Sequence, residues 1–371
     1  MRVPLVDLAA QQREIDDEVM DAIRSIFDAT AFIGGQQVAE FEESYATLAG
    51  ADFCVGVANG TDALEIALRA AGVTADGEVI MPANTFIATA EAVSRIGAKP
   101  VFVDVDPDYL LISPEAVSEA VNERTQAIMP VHLFGQVAPV EKLIPIAEGV
   151  GAVVVEDAAQ AQGASRNGVS AGSLGVAAGT SFYPGKNLGA AGDAGAITTS
   201  DPAIAHRARL LGAHGSPRKY VHEVVGMNSR LDTIQAAVLL AKLKRLLAWN
   251  ECRRSAASKY AELLSDVPAV RVPHSMAGNV DVWHLYVVQV EERDRILAEL
   301  NAGGVGAGIH YPTPIHMTEA YADLGYQVGD FPVAEQAADR ILSLPIFPHI
   351  TTQQQEFIVS QLKSSLSPSG N

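Results

Sequence analysis

The chain is short of positive charge, of cysteine and of long apolar runs, and each shortage removes a class of function. Lys and Arg number 26 against 44 Asp and Glu, a formal net charge of −18. Nucleic-acid backbones are held by Lys/Arg-rich faces, so nucleic acid is excluded as a partner. A single phosphorylated ligand is not, because free N–H groups at a helix start hold phosphate locally. No run approaches the ~18 apolar residues of a membrane span. Ala236–Leu243 is short and meets Lys242 and Lys244, so no membrane partner is expected. Met1–Gln12 carries Arg2 and Asp7 and lacks the apolar centre of a signal peptide. Only Cys54 and Cys252 are present, which suits a reducing cytoplasm better than a disulfide. Cytoplasmic localisation is expected, and no metal.

What is present suits an α/β enzyme. At 371 residues the chain fits one large domain and a smaller one. From about residue 50, short β-branched runs bounded by Gly, Pro or Asp read as buried strands: Phe53–Val57, Val79–Met81, Val101–Val105, Ala127–Val131, Ala152–Val155, Thr180–Tyr183 and Gly195–Thr199. Helical spacing predicts Thr61–Ala71, Ile87–Ile96, Pro114–Asn122, Val140–Gly149 and Pro202–Leu211 between them. Such alternation implies a mainly parallel sheet covered on both faces, with ligands at the carboxyl ends of its strands. A long amphipathic stretch, Leu231–Leu264, leads out of this unit. The rest mixes helices (Arg293–Leu300, Val333–Ile341, Gln353–Leu362) with a strand-like Trp283–Val290. We therefore expect a large α/β domain over residues 1–248 and a small α+β domain over 249–371, with a frayed Ser364–Asn371 tail.

Four features fall where strand ends are expected. Asn59-Gly60-Thr61-Asp62 joins a strand to a helix start, so its free N–H groups and the Thr61 hydroxyl can seat a phosphate. By itself it better describes a plain N-cap turn. Glu156-Asp157 follows a four-residue apolar run, where a carboxylate needs a partner; a protonated pyridine nitrogen, a structural hydrogen bond or a metal would each serve. Lys186 follows a strand and a Pro184-Gly185 turn in Gly-rich surroundings. Desolvation there lowers an amine's pKa and makes it a nucleophile able to form a Schiff base, although a lone Lys after a turn is more often a solvated charge. Phe86, after the Val79–Met81 strand, can stack on a flat ring or belong to the core. Together these are the parts of a pyridoxal 5′-phosphate (PLP) site. The glycines form no GxGxxG between strand and helix, which leaves an NAD-dependent oxidoreductase without its fingerprint.

Asn59-Gly60-Thr61-Asp62-Ala63-Leu64, Glu156-Asp157-Ala158-Ala159-Gln160, Ser181-Phe182-Tyr183-Pro184-Gly185-Lys186-Asn187-Leu188-Gly189 and Gly226-Met227-Asn228-Ser229-Arg230-Leu231-Asp232 closely resemble the nucleotide-sugar aminotransferases of the DegT/DnrJ/EryC1/StrS family. The resemblance runs from Pro4 to about Leu362. It implies fold type I of the PLP enzymes: a seven-stranded, mainly parallel sheet, a smaller C-terminal domain, and a homodimer with shared active sites. Lys186 matches the cofactor-bearing lysine, Asp157 the partner of the pyridine nitrogen, Gln160 the residue beside the 3-hydroxyl, and Phe86 the stacking aromatic. Gly60, Thr61 and Ser181 match the phosphate seat, which Asn228 reaches from the other subunit. Tyr183, Lys219, Tyr220, Arg230, His310 and Tyr311 are expected near the substrate, with Arg230 alternatively at the cofactor phosphate.

The implied reaction moves an amino group from glutamate (or glutamine), through the pyridoxamine form of the cofactor (PMP), to a nucleotide-diphosphate keto-sugar. Tyr183–Gly189 with Gly192-Asp193 resembles members that act on 3-keto-6-deoxyhexoses, so a dTDP-linked sugar of that kind is the expected substrate. Such chemistry supplies amino sugars for antibiotics or surface polysaccharides. Amination at C4, a PLP/PMP-dependent sugar dehydratase and a non-catalytic regulatory relative are the alternatives. Family dehydratases that lack the lysine carry His there, and Lys186 stands against that reading.

Overall fold

The computed structural model describes residues 1–366. In chain order its strands are β1 (Phe53–Val57), β2 (Glu78–Pro82), β3 (Lys99–Val103), β4 (Thr125–Ile128), β5 (Val153–Asp157), β6 (Ser165–Arg166), β7 (Val169–Ser170), β8 (Ala177–Ser181), β9 (Gly195–Thr199), β10 (Asn279–Val280), β11 (Tyr286–Gln289) and β12 (Ile341–Leu344). All seven runs expected to be strands enter one sheet, in the order β1-β9-β8-β5-β4-β2-β3. Every residue of β2 and β9, each second from an edge, is buried, as a sheet covered on both faces requires.

One strand runs against the rest. β9 pairs antiparallel with both β1 and β8, whereas β5–β8, β4–β5, β2–β4 and β2–β3 are parallel. A parallel crossover needs a helix-length connection, and residues 182–194 between β8 and β9 form none. That loop carries Lys186. β1 to β2, β2 to β3, β3 to β4 and β4 to β5 are each joined through a helix, whereas residues 158–176 between β5 and β8 carry only the short β6 and β7. Asn59 caps Gly60–Ala70, Ser113 caps Pro114–Ala120 and Asp201 caps Pro202–Gly212, each accepting a backbone N–H into the first turn.

Helix Thr233–Leu263 continues past residues 248 and 249 and joins two cores. Its Ala236, Leu239 and Leu246 pack with Phe182 and Leu188. Its Ala256, Ala257 and Tyr260 pack in a second core with Tyr286, Val288, Leu342 and Ile358. Val3 belongs to this second core and bridges Val305, so the N-terminal segment packs with C-terminal residues. Three early helices, Leu8–Arg13, Asp16–Ala29 and Gln36–Ala49, were not foreseen, nor was β12. The last helix, Thr352–Leu366, takes in residues 364–366, which were expected to fray. The remainder of that tail, 367–371, lies outside the described residues.

Candidate active site

The carboxyl ends of β1, β5 and β8 open into a cavity of about 700 Å³ whose lining includes Gly60, Thr61, Phe86, Asp157, Ser181 and Lys186. At one end the helix Gly60–Ala70 starts against β8. Asn59 accepts the Asp62 N–H at 2.8 Å, while the N–H groups of Gly60 and Thr61 have no partner among the described residues. Gly60 is a requirement of contact: a Cβ there would lie 2.5 Å from the Ser181 Cβ. Two open amides at a positive helix end and one hydroxyl make an anion cradle. Gly60→Ala is therefore expected to push Ser181 aside and lower affinity for PLP and for inorganic phosphate together, as read by equilibrium dialysis. Unchanged retention of both would show that the cradle lies elsewhere.

Glu156 and Asp157 are the last two residues of β5, not residues beyond its end as the sequence suggested. Neighbours in a strand face opposite ways, and their fates differ accordingly. Glu156 is fully buried away from the cavity. It accepts the N–H groups of Gly172, Leu174 and Gly175 and a 2.7 Å bond from His132 Nε2; the His132 Nδ1 accepts the Ala138 N–H, which fixes that tautomer. Glu156 is a structural anchor. Asp157, 5 % exposed, lines the cavity. Its Oδ2 accepts a 2.7 Å bond from the Thr89 hydroxyl, which in turn accepts from Thr85 at 2.7 Å. Burial raises the Asp157 pKa, and the bond from Thr89 and the charge of Lys186 act against it.

Lys186 sits at the tight turn after β8, where its N–H donates to the Tyr183 carbonyl at 2.8 Å. The long helix grips the loop at three points. Gln235 accepts the Ala191 N–H at 2.8 Å, Lys242 donates to the Gly189 carbonyl at 2.6 Å, and Asn250 accepts from Asn187 at 2.9 Å. The loop that carries Lys186 is thus held in a fixed frame at the cavity wall. Desolvation lowers the amine's pKa to about 8, with Asp157 partly opposing the shift. An amine so tuned is neutral often enough near neutral pH to attack a carbonyl or take a proton.

Across the cavity, Phe86 is 51 % exposed, its ring 5.3 Å from that of Tyr311. It is not core; it presents a free face. Gln160 accepts the Phe134 N–H at 2.6 Å and donates to the Tyr311 hydroxyl at 3.2 Å. Burial, ahead of the Asp157 charge, raises the Tyr311 pKa. The residues present fit PLP chemically: an anion cradle, a free aromatic face, a buried acid and a desolvated amine around one space.

Residues 13–363 match the DegT/DnrJ/EryC1/StrS aminotransferase family. The chain belongs to this family. It is 45 % identical over 364 residues to the erythromycin biosynthesis sensory transduction protein EryC1 of Saccharopolyspora erythraea, covering 98 % of this chain and 100 % of that one. It is 41 % identical to the dTDP-3-amino-3,4,6-trideoxy-alpha-D-glucose transaminase of Streptomyces venezuelae, covering 98 % and 96 %. The solved structure of S. venezuelae DesV in complex with a ketimine intermediate superposes with a TM-score of 0.96 at 41 % identity, over 99 % of each chain. This member of the DegT/DnrJ/EryC1/StrS family is thus an aminotransferase with the type I fold of PLP enzymes.

Of the residues singled out in the sequence, Gly60, Thr61, Phe86, Asp157, Gln160, Ser181, Tyr183, Lys186, His310 and Tyr311 line the one cavity. Lys219, Tyr220, Asn228 and Arg230 do not. Lys219 lies over the Tyr220 ring at 5.0 Å, and Tyr220 is 82 % exposed; Asn228 and Arg230 are exposed as well. Sequence reasoning missed Thr85, Thr89, Asn187 and His284. The i, i+4 spacing of Thr85, just before the Phe86 cap, and Thr89, in the first turn of Ile87–Ile96, was a signal for the first pair; for the second pair, far apart in the chain, there was none.

Proposed function

We propose that this aminotransferase uses PLP held by Lys186 to move an amino group from glutamate (or glutamine) to a nucleotide-linked keto-sugar. The substrate in this reading is a dTDP-3-keto-6-deoxyhexose. The observation that carries it is the meeting of Lys186, Asp157 and the Gly60/Ser181 cradle in one cavity. The relative from S. venezuelae, by its printed name a transaminase for a 3-amino sugar, supports position 3 over position 4.

Bound there, PLP supplies an electron-accepting ring. The chain's own residues do the rest. Gly60, Thr61 and Ser181 hold the phosphate at the helix end, and Phe86 fixes the ring plane. Asp157, kept in place by Thr89, holds a proton on the pyridine nitrogen; a buried carboxylate gains most by facing a cation. Gln160 contacts the 3-hydroxyl. Lys186 Nζ would serve as the base for the donor's α-proton and as the acid toward the aminated sugar carbon. Tyr183, His310 and Tyr311 flank the sugar. A visible absorbance band that shifts on adding glutamate, with product identification over dTDP- and UDP-keto-sugars, tests the reading. A colourless protein after incubation with PLP would overturn it.

The proposal includes a homodimer with shared sites. Asn228 reaches the partner's cofactor phosphate, while Lys219, Tyr220 and Arg230 meet its substrate or phosphate. Its support is that these residues border exposed apolar ones: Val225 is 86 % exposed, and Ile33, 54 % exposed, bridges Asp232. A hydrogen bond to a charged group contributes roughly 1.5–3 kcal/mol. Asn228→Ala should therefore weaken PLP retention by about one to two orders of magnitude, measured by dialysis. Mixing Lys186→Ala with a variant altered at both Asn228 and Arg230 should restore at most half of wild-type activity per heterodimer. No recovery after verified subunit exchange would mean that each chain builds its own site.

A further inference from the structure

His284 comes from the segment before β11 and is buried, yet it lines the cavity that holds Lys186. Its protonation can be deduced from the bonds around it. Asn250 Nδ2 donates to the Gln162 carbonyl at 2.9 Å, so the Asn250 Oδ1 is free to accept. It accepts from Asn187 Nδ2 at 2.9 Å, and that same amide group donates to the Val282 carbonyl at 2.8 Å. Asn187 Oδ1 is then an acceptor, and its 3.2 Å partner, His284 Nδ1, must carry the hydrogen. A neutral ring protonated at Nδ1 leaves a bare lone pair on Nε2. Burial keeps the ring neutral, and the charges of Lys186, Arg253 and His310 act the same way. His284 Nε2 has no hydrogen-bond partner among the described residues, and it is absent from the fully enclosed unpartnered atoms, so it opens on the cavity.

Asn187 follows Lys186 directly in the chain, so the ring is tied by one bond to the residue beside the amine. We propose that His284 is a positioning residue for Lys186: its Nε2 lone pair accepts a hydrogen bond from the freed Lys186 amine and holds it for proton transfer. The inference rests on the role proposed above for Lys186. The other titratable groups facing this space are Asp157 on β5, Tyr183 and Asp193 on the Lys186 loop, Glu91 and Arg95 on Ile87–Ile96, and His310 and Tyr311. None of these has its hydrogen placed by a neighbour of Lys186. His310, held near a pKa of about 4 by burial and by Lys186, has its Nδ1 paired with Ser343 at 2.8 Å.

The test compares two substitutions in the full-length protein loaded with PMP, in which Lys186 is free. Asn at 284 can keep the donor toward Asn187 but has nothing at the Nε2 position. Gln carries an acceptor to that position and loses the donor. The readout is the pH dependence of Lys186 acetylation by acetic anhydride, followed on its peptide by mass spectrometry. An acceptor favours the ammonium form, so His284→Asn should move the labelling midpoint down by about one pH unit. His284→Gln should stay within a few tenths of wild type. A midpoint unmoved in His284→Asn, or moved alike in both variants, overturns the proposal; the first outcome assigns the ring to packing alone. If His284→Asn does not fold, ¹⁵N shifts of the His284 ring in the wild-type protein decide instead. A hydrogen on Nδ1 with a bare Nε2 supports the proposal, and the opposite tautomer overturns it. A borohydride adduct on a different lysine would defeat the reading of Lys186 itself, separately from either result.

Discussion

Replacing Lys186 by Ala should abolish transamination and leave a folded protein that still binds PLP without a covalent bond. The loss of the general base alone costs ~10²–10⁴ in rate, and the loss of the attachment point adds to it. Binding survives because the cradle is built separately, from the helix start at Gly60–Ala70 and from β8. The frame around Lys186 also survives, since Gln235, Lys242 and Asn250 hold neighbouring residues of the loop and not the amine. Turnover and bound cofactor, measured on the same preparation, check this. Near-native turnover would remove Lys186 from the chemistry.

Asp157→Asn should lower turnover far more than cofactor occupancy. The amide keeps the shape of the carboxylate and can keep the 2.7 Å bond from the Thr89 hydroxyl, but it carries no charge to hold a proton on a ring nitrogen. A drop comparable to that of Lys186→Ala is expected, with PLP content near wild type. Unchanged turnover at saturating substrate would make Asp157 structural, as Glu156 is.

The sheet was legible because its strands are buried on both faces, so each reads as a short β-branched run whatever its neighbours. Val153–Asp157 and Ala177–Ser181 have ends displaced by one to three residues from the reading. The reversal of β9 was not legible in periodicity, since burial on both faces makes an antiparallel strand read like its parallel neighbours. Glu156 and Asp157 read alike in sequence. Their separation into an anchor and a cavity acid follows from strand alternation, once the strand is known to run through both. Phe86, open between core and ring-facing roles, is settled as a cavity residue by its exposure. Thr89 lies in a helix whose sequence otherwise reads as packing, marked only by its i, i+4 spacing from Thr85. His284 was invisible because its partner Asn187 lies on another element. The small C-terminal helices were recovered from their apolar spacing, whereas Asp16–Ala29 and Gln36–Ala49 were passed over although their buried residues also recur at helical spacing.

The central claim is that Lys186 carries the cofactor. Borohydride reduction of the PLP-loaded protein, followed by peptide mapping, tests it most directly. The account predicts a single pyridoxyl adduct on the peptide spanning Tyr183–Gly189, at Lys186, and none when glutamate has first converted the cofactor to its amine form. An adduct on another lysine, such as Lys242, whose pKa burial also lowers to about 8, would contradict it.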